Sequence, residues 1–315
     1  MRELYGLGYV LKKEKEKIVF SSELGSETLD NYKTFVLTGK GKINVSALLA
    51  SAERGITLSL RRGFDVLRFE YPSSPSLMLR SRQIETLRSD GSLEIAAEIV
   101  RASSLNKLWI VRFLKSIGYE VDEEESEIER ILQEKPSSLE PLRRIEARIT
   151  VAYHEALRKA LDPSYGFKSR TRRPPKDCVS AAMSYGYMKL YRYMEATLLA
   201  EGFDPRIGYL HIPSRQRPSL ALDMAEPFRQ PVVDSALLTL LLNKDLNPAK
   251  DFRREGEAVY LGVRGRKKVD VAIRKKLELK VNGVTLLGWM KLQAVSLKAY
   301  LAGEGVFKAF TIPTR

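Results

Sequence analysis

His211, Asp223 and Glu226 put one imidazole and two carboxylates in a single short stretch, the donor mix of a hard divalent cation. Oxygen-rich sites with one histidine suit Mg²⁺ or Mn²⁺. A structural zinc site would want several thiolates or imidazoles, and this chain has one Cys and two His. A metal held here would be catalytic rather than structural. Asp223 and Glu226, three apart, share a face of one helical turn between Leu220-Ala221-Leu222, Met224 and the helix-breaking Pro227. Two like charges beside apolar residues are either a surface pair or a site neutralised by a divalent cation. His211 follows a short apolar segment and is either a hydrogen-bonded structural residue or a ligand.

A third carboxylate comes from upstream. Leu142, Ile145, Ile149, Tyr153, Ala156 and Ala160 make an apolar stripe at helical spacing, and Glu146 falls inside it. A carboxylate on a core-facing side needs a cation, either an arginine or lysine or a metal. His154 lies far round the same helix and is expected at the surface. Glu155 is off the stripe as well.

The charge is unevenly spread. Residues 1–150 carry 24 Lys+Arg against 23 Asp+Glu, whereas residues 151–315 carry 29 against 16. A basic back half beside a neutral front half points to a polyanionic partner, nucleic acid above all. Lys168, Arg170, Arg172, Arg173 and Lys176 precede a helix N-terminus, and a second block, Arg264-Gly-Arg266-Lys267-Lys268, follows downstream. Tyr185, Tyr187, Tyr191 and Tyr193 either stack on unpaired bases or pack in the core.

These side chains need two kinds of scaffold. Up to residue 71 the pattern alternates with period two, through Tyr9-Val10, 18–20, 34–37, 56–60 and 64–69, with a hairpin turn at Arg61-Arg62-Gly63 and a short helix over 44–53. Residues 72–76, Pro-Ser-Ser-Pro-Ser, break both periodicities. Beyond them the periodicity turns helical over 92–117, from Ser138 and Pro141 to 161, and from Asp177 to Gly202, while the acidic run 122–129 reads as a solvated face or loop. The fold class is α+β: a small β-rich domain, 1–74, followed by a larger all-helical domain, 77–315, carrying the metal site. The lone Cys178 excludes an internal disulfide, and no apolar run is long enough to span a bilayer. A soluble cytoplasmic protein without a membrane partner is expected.

In order along the chain, residues 47–55 (Ala-Leu-Leu-Ala-Ser-Ala-Glu-Arg-Gly), Arg143-Arg-Ile-Glu146 with Tyr153, Arg172-Arg-Pro-Pro-Lys-Asp177, Ser184-Tyr-Gly-Tyr187, Gly208-Tyr-Leu-His211 and Ser219-Leu-Ala-Leu-Asp223-Met-Ala-Glu226 resemble the CRISPR-associated adaptation integrases, the Cas one family of metal-dependent DNA endonucleases. The resemblance spans residues 5–310. It implies metal ligation by Glu146, His211 and Glu226, with Asp223 as an adjacent acidic member binding a second metal or orienting a water. It implies a homodimer joined through the β-rich domain and a small Cas two partner, acting together on double-stranded and branched DNA. The activity implied is phosphodiester cleavage and strand transfer with Mg²⁺ or Mn²⁺, inserting short DNA fragments into a CRISPR array in antiviral defence. Arg170, Arg173, Arg215 and Arg217 are the expected phosphate contacts. The chain departs from the family pattern at Ala147, Ser180 and Gln216, where glycine, asparagine and glycine are usual. A branched-DNA repair nuclease is the rival within the enzyme class, and a non-catalytic DNA-bending scaffold the rival outside it.

Overall fold

The computed structural model describes residues 2–32, 34–62, 65–69, 74–213 and 217–313. The expected turn at Gly63, Pro72 and Ser73 of the expected boundary, Arg215 and Gln216 lie outside the described residues. Period-two alternation up to Phe69 forms one six-stranded sheet, and its strands are β1 (Arg2–Glu14), β2 (Lys17–Ser22), β3 (Gly25–Thr28), β4 (Thr34–Ile43), β5 (Thr57–Arg62) and β6 (Asp65–Phe69). Their spatial order is β3-β2-β1-β4-β5-β6. The outer pairs are antiparallel, whereas β1–β4 and β4–β5 are parallel. Parallel neighbours need a crossover, and between β4 and β5 it is helix α1 (Val45–Glu53). The helix lays Ala47 and Ala50 on a core of Leu11, Ile18, Phe35 and Leu58. Arg61 extends β5, and its guanidinium, 2% exposed, meets Glu195 of the helical domain at 3.0 Å and Glu3 at 3.6 Å.

Helices α2 (Ser74–Leu87), α3 (Gly91–Ser116), α4 (Asp122–Leu132), α5 (Leu139–Ala160) and α6 (Cys178–Ala200) come next. They are followed by α7 (Ser219–Ala225), α8 (Ser235–Leu242), α9 (Pro248–Asp251), α10 (Val263–Glu278) and α11 (Leu286–Leu301). The helical domain also carries two short hairpins that the periodicity did not suggest, β7 (Phe252–Glu255) with β8 (Ala258–Leu261), and β9 (Lys280–Val281) with β10 (Val284–Thr285). Strands of two to four residues are too short to show alternation. One apolar core joins the stripes of α3 and α5, Ile95, Ile99, Ile145 and Ile149, to Leu190 and Met224. The acidic run 122–129 is neither loop nor merely solvated. It lies in α4, where Glu124 is buried against Lys159 at 2.7 Å and Glu125 bridges Arg112 at 2.9 Å and Lys115 at 2.8 Å. No described helix is long and apolar enough to cross a membrane.

Asp177 caps α6 as its sequence position implies, accepting from the Ser180 amide at 2.7 Å. Ser138 begins α5 without a side-chain cap bond. The stretch after α7 departs from regular winding: Pro227 turns the chain into a 3₁₀ segment, Glu226–Phe228, and then a π turn, Arg229–Asp234, before α8 resumes. Extra turns of this kind aim side chains that a continuous helix would misplace. Asn106 of α3 holds it by donating to the carbonyls of Pro227 at 2.6 Å and Phe310 at 3.0 Å. Glycine is required where α6 crosses the π turn, since a Cβ at Gly186 would sit 2.5 Å from Val233 Cγ1.

Candidate active site

The stripe of α5 turns Glu146 toward α3, and there it faces a cation. The Lys107 ammonium, buried in α3, stands 4.0 Å from Glu146 Oε1 and donates to Ser103 Oγ at 2.9 Å. Thr150 Oγ1, one turn along α5, donates to Glu146 at 2.9 Å. Burial works against the Glu146 charge, but Lys107, the Thr150 bond, Arg229 and Arg172 outweigh it and hold the carboxyl below its ordinary range. On Lys107 the balance falls the other way. Burial lowers its affinity for a proton more than Glu146 and Glu226 raise it.

Arg143, one turn before Glu146, donates to the Leu210 carbonyl at 2.7 Å and so ties the His211 loop to α5. Asp223 ties it to α7. Its Oδ2 accepts the amides of Tyr209 at 2.6 Å and Leu210 at 3.0 Å, and its Oδ1 accepts the amide of His211 at 3.0 Å and the His211 ring Nδ1 at 2.6 Å. That close wrap needs Gly208, whose added Cβ would lie 2.9 Å from Asp223 Oδ2. An ionised carboxylate only accepts, so Nδ1 carries the proton and Nε2 is left with its lone pair. Burial opposes the charged ring, yet the bond to Asp223 and the charges of Asp223 and Glu226 prevail, and the His211 pKa is raised.

Glu226, 5% exposed at the end of α7, accepts from Arg229 Nη1 at 2.6 Å. Arg229 lies over the rings of Tyr187 at 4.9 Å and Tyr191 at 5.4 Å, and it also bonds the Tyr191 hydroxyl. Behind it Asp234 is buried, accepting from Tyr187 at 2.7 Å and Tyr153 at 2.8 Å. Burial pushes its pKa up against those two bonds.

Glu146, His211 and Glu226 therefore share one electrostatic neighbourhood around Lys107 and Arg229. Among the described residues, no three His, Cys, Asp or Glu side chains stand close enough together to chelate an ion. The donor chemistry nonetheless suits a hard divalent cation: two carboxylates countered only by side-chain cations, and an imidazole whose Nε2 is aimed by a carboxylate on Nδ1.

Three expectations change. Asp223 is not free to take a second metal or a water, because its oxygens serve four donors; it positions His211. His154 is not a surface residue. It is half-buried, 5.7 Å from the Tyr153 ring and 6.2 Å from Phe167, and burial together with Lys107, Arg170 and Arg172 brings its pKa down to about 4. Arg170 is not an open phosphate clamp, since it donates to Ser184 Oγ at 2.8 Å and lies 5.9 Å from the Tyr187 ring. Arg172, Arg173 and Arg217 are exposed. In the downstream block, Arg264 at 3.2 Å and Lys268 at 2.6 Å are spent on buried Asp251. The tyrosines divide by helix face. Tyr187 and Tyr191 belong to the site, while Tyr185 is bound to Asp270 at 3.0 Å beside a separate cavity of 370 Å³ shared with Lys189, Arg192 and Arg266. Lys107 and Arg229 were missed from the sequence. The Glu226-x-x-Arg229 spacing is a local signal for the second, and the polar run Ser103, Ser104, Asn106 and Lys107 inside an apolar helix is one for the first.

A strand-rich unit followed by a helical domain, with two carboxylates and an imidazole set about Lys107 and Arg229 and with exposed arginines, fits the nucleic-acid-processing class of protein. The family model for CRISPR associated protein Cas1 matches residues 4–275, and the chain belongs to that family. It is 41% identical over 186 residues to CRISPR-associated endonuclease Cas1 1 of Thermus thermophilus, an alignment spanning 56% of this chain and 57% of that protein's length. It superposes on a Cas1 protein from Thermotoga maritima with a TM-score of 0.73 at 25% identity, covering 98% of this chain and 100% of the other. The fold also matches a casposase bound to integration product, with a TM-score of 0.74, 20% identity and coverage of 100% and 99%. It matches a Cas6-RT-Cas1–Cas2 complex with a TM-score of 0.80 and 19% identity, covering 99% of this chain and 36% of that one.

Proposed function

We propose that this chain is a DNA endonuclease and integrase of CRISPR adaptation, cutting DNA and joining a 3′-hydroxyl end to a target strand. The observation that carries the reading is the meeting of Glu146, His211 and Glu226 around Lys107 and Arg229 in a member of the Cas1 family. In the reaction the 3′-hydroxyl oxygen, or water in simple cleavage, forms a new bond to phosphorus. The bond to the displaced deoxyribose oxygen breaks, so one phosphodiester is exchanged for another.

Glu146, Glu226 and His211 Nε2 would hold Mg²⁺ or Mn²⁺, which supplies Lewis-acid stabilisation of charge on the phosphate and the leaving oxygen. Asp223 keeps the His211 proton on Nδ1, and Arg143 fixes the loop that bears the ring. The buried Lys107 helps keep Glu146 ionised at neutral pH. Arg172, Arg173 and Arg217 grip phosphates from the solvent side; Arg215 is assigned the same role by its place beside Arg217. The partners proposed are double-stranded and branched DNA, a second copy joined through the sheet, and a small Cas2-type protein. The likeness of fold to the Cas1–Cas2 complex supports the last.

The deciding assay incubates the protein with a 3′-OH oligonucleotide and a repeat-containing plasmid. Covalent joining is expected with Mn²⁺ and not with EDTA, and Glu146→Ala, His211→Ala and Glu226→Ala each lower it more than 100-fold, in line with losing a metal ligand (roughly 10²-fold or more). Undiminished joining by His211→Ala, or in EDTA, would overturn the reading.

A further inference from the structure

We propose that Arg229 is a built-in counter-cation for Glu226 that competes with the divalent cation, so that loading the site opens the Arg229–Glu226 bridge. The inference rests on the reading of Glu226 as a ligand and concerns what that ligand does beforehand. Each proposed carboxylate ligand already has its own resident cation, Glu146 with Lys107 at 4.0 Å and Glu226 with Arg229 at 2.6 Å, while the other two carboxylates nearby are spent elsewhere, Asp223 on the His211 loop and Asp234 on Tyr153 and Tyr187. A divalent cation entering beside them is repelled by both ammonium and guanidinium, so the pair that yields more easily sets the cost of loading.

The two are built differently. Lys107 is 4% exposed and donates to Ser103 of its own helix. Arg229 grips Glu226 through one N–H on an i,i+3 turn, not through the two-pronged fork that makes arginine–carboxylate pairs strong. Its Nε has no acceptor among the described residues. The faces of Tyr187 and Tyr191 and the Tyr191 hydroxyl give the guanidinium a seat that does not depend on Glu226. Glu226 can therefore turn away without leaving Arg229 buried and unaccompanied. Arg229 is a positioning residue: it holds a ligand in reserve and sets the free energy of metal entry.

The test is a Mn²⁺ titration of the full chain without DNA, with free Mn²⁺ read by electron paramagnetic resonance. Arg229→Gln should bind Mn²⁺ about tenfold more tightly than the wild type, a coupling of ordinary size for two linked events. Glu226→Gln should bind more weakly, and adding Arg229→Gln to it should restore nothing, because no carboxylate is left to release. Equal or weaker binding by Arg229→Gln overturns the inference while leaving the ligand assignment intact. Wild-type affinity in Glu226→Gln instead overturns the assignment itself. A second measurement does not depend on a variant folding. In a ¹⁵N spectrum the Arg229 Nε–H signal should shift on adding Mg²⁺ to the wild type, and an unmoved signal at saturating Mg²⁺ overturns the inference.

Discussion

Asp223 and Glu226 sit three residues apart at the end of one helix, have the same charge and are both buried, yet their surroundings treat them oppositely. Asp223 takes four hydrogen bonds from one loop, three of them from backbone amides. Glu226 takes one charged bond from a side chain. A carboxylate wired to the backbone fixes a conformation, whereas one held by a side-chain cation keeps its lone pairs exchangeable. A related contrast separates Arg170, bonded to Ser184, from exposed Arg172 and Arg173.

The sharpest way to break this division is to replace each carboxylate and measure urea unfolding. Asp223→Ala should cost about 3–5 kcal/mol, because it strands buried amides and an imidazole. Glu226→Gln should cost about 1–2 kcal/mol, since the amide oxygen still accepts from Arg229. Equal losses would erase the distinction.

The two histidines give a smaller, pH-dependent effect. The folded His154 stays neutral until about pH 4, whereas the unfolded ring protonates near its ordinary value. Between those values the unfolded state binds more protons, so stability falls as the pH drops through that window, by about 2–3 kcal/mol in all. His154→Gln should lose less stability over that range. His211 has a raised pKa and the opposite sign: the extra stability of its charged ring beside Asp223 is present at low pH and is lost as pH rises through the folded value, the neutral Nδ1–H bond remaining. Indistinguishable acid unfolding of wild type and His154→Gln would contradict the burial of this ring.

The mildest contrast is among arginines. Replacing exposed Arg172 and Arg173 with alanine should lower the slope of log K against log salt for duplex DNA by about 2 in EDTA, one for each phosphate no longer neutralised. Arg264→Ala, which removes a partner of Asp251, should leave the slope alone. Equal changes in slope would mean that the ion-paired block also touches DNA.

Local pattern carried much of this. The apolar run 34–37 and the alternation over 56–60 anticipated β4 and β5, and the stripe on α5 placed Glu146 on an inward face needing a cation. Which cation was not legible. Lys107 is on a different helix, and no periodicity in α5 reports what packs against it. His154 was misplaced for a related reason: helical angle gives the face a residue occupies, not what covers that face, and here Phe167 does. Both hairpins of the helical domain were too short to show a period. The roles of Asp223 and Glu226 look alike in one dimension because three-residue spacing is blind to the loop that folds back on only one of them.

The pair Arg61–Glu195 joins the sheet to α6, and Glu195 is one helical turn beyond Tyr191, on which Arg229 lies. That is about 6 Å along the helix axis. The bracing ties the two domains together at that point: a displacement of β5 that carried Arg61 with it would reach the aromatic seat of Arg229 across a single turn of α6.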